Sequence, residues 1–463
     1  MATLADATTG AIVETTGGGV VHSAVDLAFK VSPTSLPVGD YTVTCSLRNA
    51  SSGSVLTQST HNVTRVDDNA PQPTAWIDEN QRLIHRGKPK FVIGLYMSWI
   101  PNDPGDPGWS TPAEDIDLIA NSSFNTIMPY QAPANESLLD TIAAAGLQVI
   151  FSTKDTYAMN NSEAFVKAQV AKWRKHEAVL GWYLNDELMG PRYLQALEDH
   201  YRWTVSGDPD HPAWAVLSSA ATGSLRDYIS TTDILGTDDY TITDGGPGQV
   251  SMGSGRQMDA IRQQTDSSVA IWEVLQMTNM RVYHKDCSEC ITPTFDMERS
   301  ITWQAIVRGA NGVVFYSFFD MMSGCHRTGT CPLDVSNMTQ WARMSTIAAE
   351  VERFAPALLS DAGAAPQVTV VNATGGVPSW VTTRERWEDD APPGTMLIFA
   401  ANDGDGGGVV TFVLNGGLIA HGGYVEVVSE TPPRRISIEA GSDRFVDASN
   451  ALDVRVYKLR ASS

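Results

Sequence analysis

Over the first 67 or so residues apolar and polar side chains alternate in DLAFKVS, DYTVTCSLRN and SVLTQSTHNVTRV, with Pro, Gly and Ser turns between the runs. A period of two predicts antiparallel strands, and three or four of them make only a partial sandwich. DDNAPQPTA then reads as a linker and AWIDENQRLIHRGKPKF as a short hairpin. From Phe91 the pattern changes: short apolar runs alternate with longer segments whose apolar residues recur every three or four positions. The runs are FVIGLYM at Phe91, FNTIMPY at Phe124, LQVIFSTK at Leu147, LGWYLNDE at Leu180, AWAVLSSA at Ala213, DILGTDDY at Asp233, VAIWEVLQ at Val269 and GVVFYSFFD at Gly312. Between them lie amphipathic segments such as NSEAFVKAQVAKWRKHEAV and DMERSITWQAIVRGA. Eight strand-helix units between Phe91 and Leu359 predict an α/β fold of the (β/α)8 TIM barrel type rather than an open doubly wound sheet. Beyond Leu359 the period returns to two in PQVTVVNAT, SWVTTRERW, TMLIFAAND, GVVTFVLNG, YVEVVSE and LDVRVYKLR, which predicts an antiparallel β-sandwich. The expected organisation is an N-terminal β-strand region with linker at 1–74, the barrel at 75–360 and the sandwich at 361–463.

Composition narrows the partners. The chain is 42% hydrophobic and 18% charged and has no uninterrupted apolar run of about 18 residues, so no membrane span is expected. A formal net charge of -21 opposes phosphate backbones and anionic lipids, which disfavours nucleic acid and suits a neutral ligand. Cys287, Cys290, Cys325 and Cys331 fall in Gly/Ser/Thr-rich loops after predicted strands, and two disulfides of open connectivity are favoured over zinc. Cys45 is left over as a buried free thiol. Sequons at Asn49, Asn62, Asn121, Asn135, Asn160, Asn337 and Asn372, together with the cysteines, suggest a secreted glycoprotein. The start, MATLADATTGAIVETTGGGVV, lacks a basic stretch followed by an apolar core and does not read as a signal peptide, so the chain reads as a piece of something longer.

In such a barrel the reactive groups sit at the carboxyl ends of the strands. Those ends supply Tyr130 from the second strand, Lys154 and Asp155 from the third, and Asn185, Asp186 and Glu187 from the fourth. The sixth supplies Asp238, Asp239 and Tyr240, the seventh Trp272 and Glu273, and the eighth Tyr316, Phe318 and Asp320. Acids ending strands four and seven face each other across the mouth. Cleavage of a glycosidic bond needs one carboxyl to protonate the leaving oxygen and a second to attack the sugar carbon or to activate water. A carboxylate inside the apolar run around Glu273 needs a purpose. No His-x-x-x-His cluster or Gly-rich phosphate loop follows a strand, so neither metal nor cofactor is expected, and His284 and His326 read as solvated.

These residues resemble the clan A retaining glycoside hydrolases, whose acid/base glutamate ends the fourth strand and whose nucleophile ends the seventh. Glu187 and Glu273 match those positions, and VLGWYLNDEL is similar to the GWY…DE strand of several barrel glycosidase families. Tyr240, in TDDY, resembles the sixth-strand tyrosine that hydrogen-bonds the nucleophile. The usual Asn-Glu-Pro is replaced by Asp186-Glu187-Leu188, so the place of the sugar-contacting Asn falls to Asp186 or Asn185. The resemblance implies a carbohydrate substrate and retaining hydrolysis of β-glycosidic bonds in an oligo- or polysaccharide. Glu187 would be the acid and base, Glu273 the nucleophile and Tyr240 its support. Trp99, Tyr130, Asp239, Trp272 and Tyr316 would line the site, with Trp99 the best stacking candidate. Two alternatives stand beside it: a substrate-assisted N-acetylhexosaminidase using Asp186-Glu187, and a carbohydrate-binding barrel without turnover.

Overall fold

The structure, a computed structural model, describes residues 2–16, 36–65, 71–98, 112–130, 136–154, 162–218, 225–238, 240–242, 254–265, 267–284, 287–323, 335–360, 368–371, 379–385, 395–403, 406–415, 419–439 and 441–462. Residues 1–72 form one compact unit and residues 73–463 another. In the first, β1 (Ala2–Asp6), β2 (Ile12–Thr16), β3 (Gly39–Arg48) and β4 (Val55–Arg65) make one antiparallel sheet in the order β2-β1-β3-β4. Cys45, expected as a buried thiol, is free but only half-buried, because its strand belongs to a sheet whose side chains are mostly part-exposed.

The second unit opens with β5 (Ala75–Ile77), β6 (Leu83–His85) and β7 (Lys88–Lys90), a meander rather than a single hairpin. It closes the amino-terminal end of the barrel: Ala75 N donates to Asp210 O at 2.9 Å, and Ala75 and Leu83 join the barrel's interior cluster. The barrel strands are β8 (Val92–Met97), β9 (Thr126–Pro129), β10 (Gln148–Ser152), β11 (Val179–Asp186), β12 (Ala213–Ser218), β13 (Ile234–Asp238), β14 (Ala270–Gln276) and β15 (Gly312–Tyr316). All eight pair in parallel and close on themselves. The described helices around them are α1 (Pro112–Ala120), α2 (Glu136–Ala144), α3 (Glu163–Trp173), α4 (Pro191–Gly207), α5 (Ser254–Thr265), α6 (Phe295–Val307), α7 (Phe318–Ser323) and α8 (Asn337–Leu358).

The strands are buried on both faces, as a helix-covered parallel sheet requires. Tyr96, Ile150, Leu180, Tyr183, Trp214, Val216, Trp272, Val274 and Val314 fill the interior. Leu95, Phe151, Trp182, Leu217, Leu235, Leu275 and Phe315 pack outward against the helices. Trp214 fits beside β13 because Gly236 carries no side chain: a Cβ there would lie 2.7 Å from Trp214 Nε1 and 2.5 Å from Trp272 O. The eighth strand stops earlier than its apolar run predicts. Ser317 Oγ accepts from Asp320 N at 2.9 Å and the chain turns into α7, where Phe318 and Phe319 pack as helical side chains.

C-terminal to the barrel, β16 (Val368–Val371), β19 (Gly408–Leu414) and β22 (Arg444–Ser449) form a three-stranded antiparallel sheet. The five-stranded partner is β17 (Ser379–Glu385), β18 (Thr395–Asn402), β23 (Val454–Ser462), β20 (Ile419–Val427) and β21 (Arg434–Ser437), in that order. Phe412 and Phe445 from one sheet and Ile398, Val425 and Tyr457 from the other share a core, so the two make a sandwich. The other face of the five-stranded sheet belongs to the barrel core through Leu397, Phe399, Val454 and Val456. There Trp303 of α6 stacks on Phe399 at 5.4 Å and 14°, and Arg299 donates to Glu350 of α8 at 2.7 and 2.6 Å.

Candidate active site

The geometry of the mouth begins with an irregularity in β11. Its register against β12 shifts between Tyr183 and Asn185, so Tyr183 lies opposite Trp214, Asn185 opposite Ala215 and Asp186 opposite Val216. Trp214 and Val216 point into the barrel. The extra residue therefore brings Asp186 to the same side as Tyr183 and turns Asn185 outward. Asn185 is 1% exposed and donates to Val216 O at 3.3 Å, which makes it a tie between strands rather than the sugar contact expected of it. Glu187 follows with φ 55°, a left-handed conformation that costs a non-glycine residue on the order of 1–3 kcal/mol. Its N–H donates to Val216 O at 3.0 Å, and Gly190 N–H donates to Tyr228 Oη at 2.7 Å before α4 starts at Pro191. The turn is pinned on both sides, and Glu187 stands exposed at its apex.

Asp186 is enclosed by donors. Lys154 Nζ donates to Oδ2 at 2.8 Å, Tyr183 Oη to Oδ1 at 2.5 Å, and Tyr130 Oη to Oδ2. The Lys154 ammonium also lies 3.2 Å from the centre of the Tyr130 ring. Burial lowers the Lys154 pKa and the Asp186 charge opposes that shift. Burial, with Asp186 adding to it, pushes the Tyr130 and Tyr183 hydroxyls up, so they remain donors.

Asp238, the last residue of β13, is 8% exposed and has the carboxyls of Glu187 and Asp186 as its charged neighbours. Burial, and then the neighbouring carboxyls of Glu187 and Asp186, hold it well above the usual carboxylate range.

Glu273 stands elsewhere. Along β14, Ala270, Trp272 and Val274 belong to the interior cluster, whereas Ile271 and Leu275 pack outward. By the period of two, Glu273 falls on the outward face. It is 1% exposed, and Thr237 Oγ1 lies 2.9 Å from each of its carboxyl oxygens. Strand parity thus turns the Glu273 side chain toward the helix layer, from where its charge still bears on Asp238. The inward position nearest the end of β14 is Gln276, which donates to Ile242 O at 2.8 Å and Thr278 O at 3.1 Å and accepts from Ile242 N at 3.0 Å.

Tyrosines line the rest of the mouth. Tyr240 stacks on Tyr316 at 5.2 Å and 27°, and Thr237 takes the place beside Glu273 that the sequence assigns to Tyr240. Tyr316 Oη lies 2.5 Å from Tyr283 Oη, which also donates to Asp320. Ser317 Oγ donates to the same Asp320 oxygen at 2.6 Å. Trp272, expected against the sugar, is 0% exposed and packs on Trp214 at 5.9 Å, inside the barrel. Among the described residues no group of His, Cys, Asp or Glu is arranged to hold a metal ion.

The sequence matches no protein-family model, and no curated protein is similar to it. The likeness lies in three dimensions. A solved glycoside hydrolase is 9% identical and superposes with a TM-score of 0.57 over 84% of this chain and 97% of its own. A glycoside hydrolase family 5 protein from Bacteroides vulgatus is 10% identical, with a TM-score of 0.56 over 84% of this chain and 93% of its own. At such identities the likeness concerns the fold: a barrel carrying further β-structure.

Of the residues singled out from the sequence, the barrel thus brings Tyr130, Asp186, Glu187, Tyr240 and Tyr316 to its mouth and places Asn185, Trp272 and Glu273 away from it. Trp99, Asp239, Cys325 and Cys331 lie outside the described residues. Cys287 and Cys290 stand as a close pair with Cα atoms 5.4 Å apart. The residues that sequence reasoning passed over are Asp238 as the partner of Glu187, Tyr183 as a donor to Asp186, and Gln276. A strict period-two reading of β13 and β14 points to two of the three.

Proposed function

We propose that this protein is a glycoside hydrolase that cleaves β-glycosidic bonds of an oligo- or polysaccharide with retention, and that Glu187 and Asp238 are its two carboxyls. The observation that carries the reading is the convergence of their carboxyls from the ends of β11 and β13, close enough that Glu187 helps to hold the Asp238 carboxyl above the usual carboxylate range. With the proton that burial favours on Asp238, two adjoining carboxyls supply both groups the reaction needs: an acid for the leaving oxygen and a carboxylate for the anomeric carbon. Retaining enzymes hold their two carboxyls about 5–5.5 Å apart, nearer than the 6.5–9.5 Å that admits a water in inverting ones, and carboxyls that adjoin one another favour the nearer arrangement.

Glu187, exposed at the apex of its turn, is the member placed to reach the leaving group. The proton of Asp238 passes through it to the glycosidic oxygen, and the Asp238 carboxylate so formed, deeper in the lumen, attacks the anomeric carbon. Glu187, now a base, then takes a proton from the water that releases the sugar from Asp238. Asp186 is held by Lys154, Tyr130 and Tyr183, which fixes the strand end from which Glu187 projects. That engagement also speaks against a substrate-assisted route, in which an acetamido group would have to compete for Asp186.

A panel of 4-nitrophenyl glycosides identifies the sugar, and proton NMR of the first-formed product reads its anomeric configuration. The β-anomer from a β-glycoside is expected. Release of the α-anomer, or hydrolysis of none of the panel, overturns the reading.

A further inference from the structure

Lys154 is a cation at the mouth of a proposed sugar site, and a lysine there would ordinarily be read as a clamp for an acidic sugar. Its environment says otherwise. Three donors from three consecutive strands converge on one point: Tyr130 Oη beyond β9, Lys154 Nζ beyond β10, and Tyr183 Oη within β11. A cation and two hydroxyls disposed about one carboxylate make an anion-recognition group, and charge-assisted bonds of this kind are strong and geometrically demanding. The occupant is the chain's own Asp186, delivered by the bulge in β11. Two further carboxyls, Glu187 and Asp238, adjoin it.

We infer that Asp186 is a built-in occupant of a carboxylate-recognition site, and that it restricts the mouth to sugars without a carboxylate, so that neutral glycosides are accepted and uronic acids refused. A uronate entering this mouth meets three carboxyls, and among the described residues the cation beside them, Lys154, is already engaged. Its own carboxylate would be desolvated without a partner, the usual source of strong rejection in a polar site. Lys154 serves specificity by holding Asp186 in place. The inference rests on the reading of the mouth as a sugar site.

The test is a binding experiment, so it does not depend on turnover. D-glucose, D-glucuronate and sodium formate are titrated into the wild-type protein, Asp186→Ala, and Asp186→Ala combined with Lys154→Met, by calorimetry and by thermal shift. Wild type is expected to bind glucose in preference to glucuronate. Asp186→Ala exposes the three donors and should bind glucuronate at least tenfold more tightly than wild type does. Formate should raise its Tm with a dose dependence that wild type lacks, and the added Lys154→Met should abolish both gains. If Asp186→Ala melts below assay temperature, Asp186→Ser, too short to fill the donor site, takes its place. No gain for either carboxylate in the Asp186 variant, or a wild-type preference for glucuronate over glucose, overturns the inference. Should no glycoside be hydrolysed, the proposed function falls while the formate titration still decides whether the donor set recognises a carboxylate.

Discussion

Asp238 and Glu187 bring their carboxyl groups together at the end of the barrel, and burial, then the Glu187 charge, hold the Asp238 carboxyl well above the usual carboxylate range. That shift has a stability consequence whose sign is fixed. The folded-state pKa of Asp238 lies above the ordinary 3.8, so the native chain binds more protons than the unfolded one. Its contribution is complete below about pH 3.8 and is lost as pH rises through the folded value. Asp238→Asn removes this burden, and its Tm should exceed that of wild type at pH 8 by at least roughly 2 °C, the order expected for about 1 kcal/mol in a large domain. The gap should close near pH 4. A variant less stable than wild type at pH 8 would contradict the raised Asp238 pKa.

His200 sets an opposite trend on the acid side. It is buried with its Nε2 3.1 Å from Thr153 Oγ1, and burial lowers its pKa from 6.5 to about 4. A depressed histidine leaves stability intact above pH 6.5 and removes it as pH falls toward 4. A shift of this size corresponds to roughly 3 kcal/mol at the acid end of the window. His200→Gln should flatten the decline of Tm between pH 6.5 and 4, and parallel curves for variant and wild type would refute the assignment.

The sandwich is welded to the barrel through Trp303. Its ring lies between Phe399 of β18, at 5.4 Å, and Phe354 of α8, at 5.9 Å. Trp303→Ala removes a fully buried indole from this junction and should cost about 3–5 kcal/mol. Differential scanning calorimetry of residues 73–463 should show barrel and sandwich melting together in wild type and separating, or melting together at lower temperature, in the variant. An unchanged Tm would show that the junction carries little of the stability.

Much of this fold is legible in the sequence. Each of the eight barrel strands overlaps its predicted apolar run, and the return to a period of two after Leu359 marks the sandwich. The choice of face is what the sequence conceals. A strand covered by helices outside and filled by side chains inside is apolar in both directions, so AIWEVLQ offers no alternation by which to tell that Glu273 faces out and Gln276 in. The bulge between Tyr183 and Asn185 is equally silent, yet it decides that Asp186 enters the mouth and Asn185 does not. The Asp186-Glu187 dipeptide is correctly read as the end of the fourth strand. The partner proposed for it lies one strand nearer than expected, on β13 rather than β14.

The most direct measurement is therefore a comparison of three conservative variants, Glu187→Gln, Asp238→Asn and Glu273→Gln, by kcat/KM on the aryl glycoside that wild type hydrolyses best. Loss of an acid or a nucleophile should lower turnover by about 10²–10⁴-fold or more. The account predicts losses of that order for Glu187→Gln and Asp238→Asn, and a change within threefold for Glu273→Gln. Near-wild-type activity in Asp238→Asn together with an inactive Glu273→Gln would contradict it.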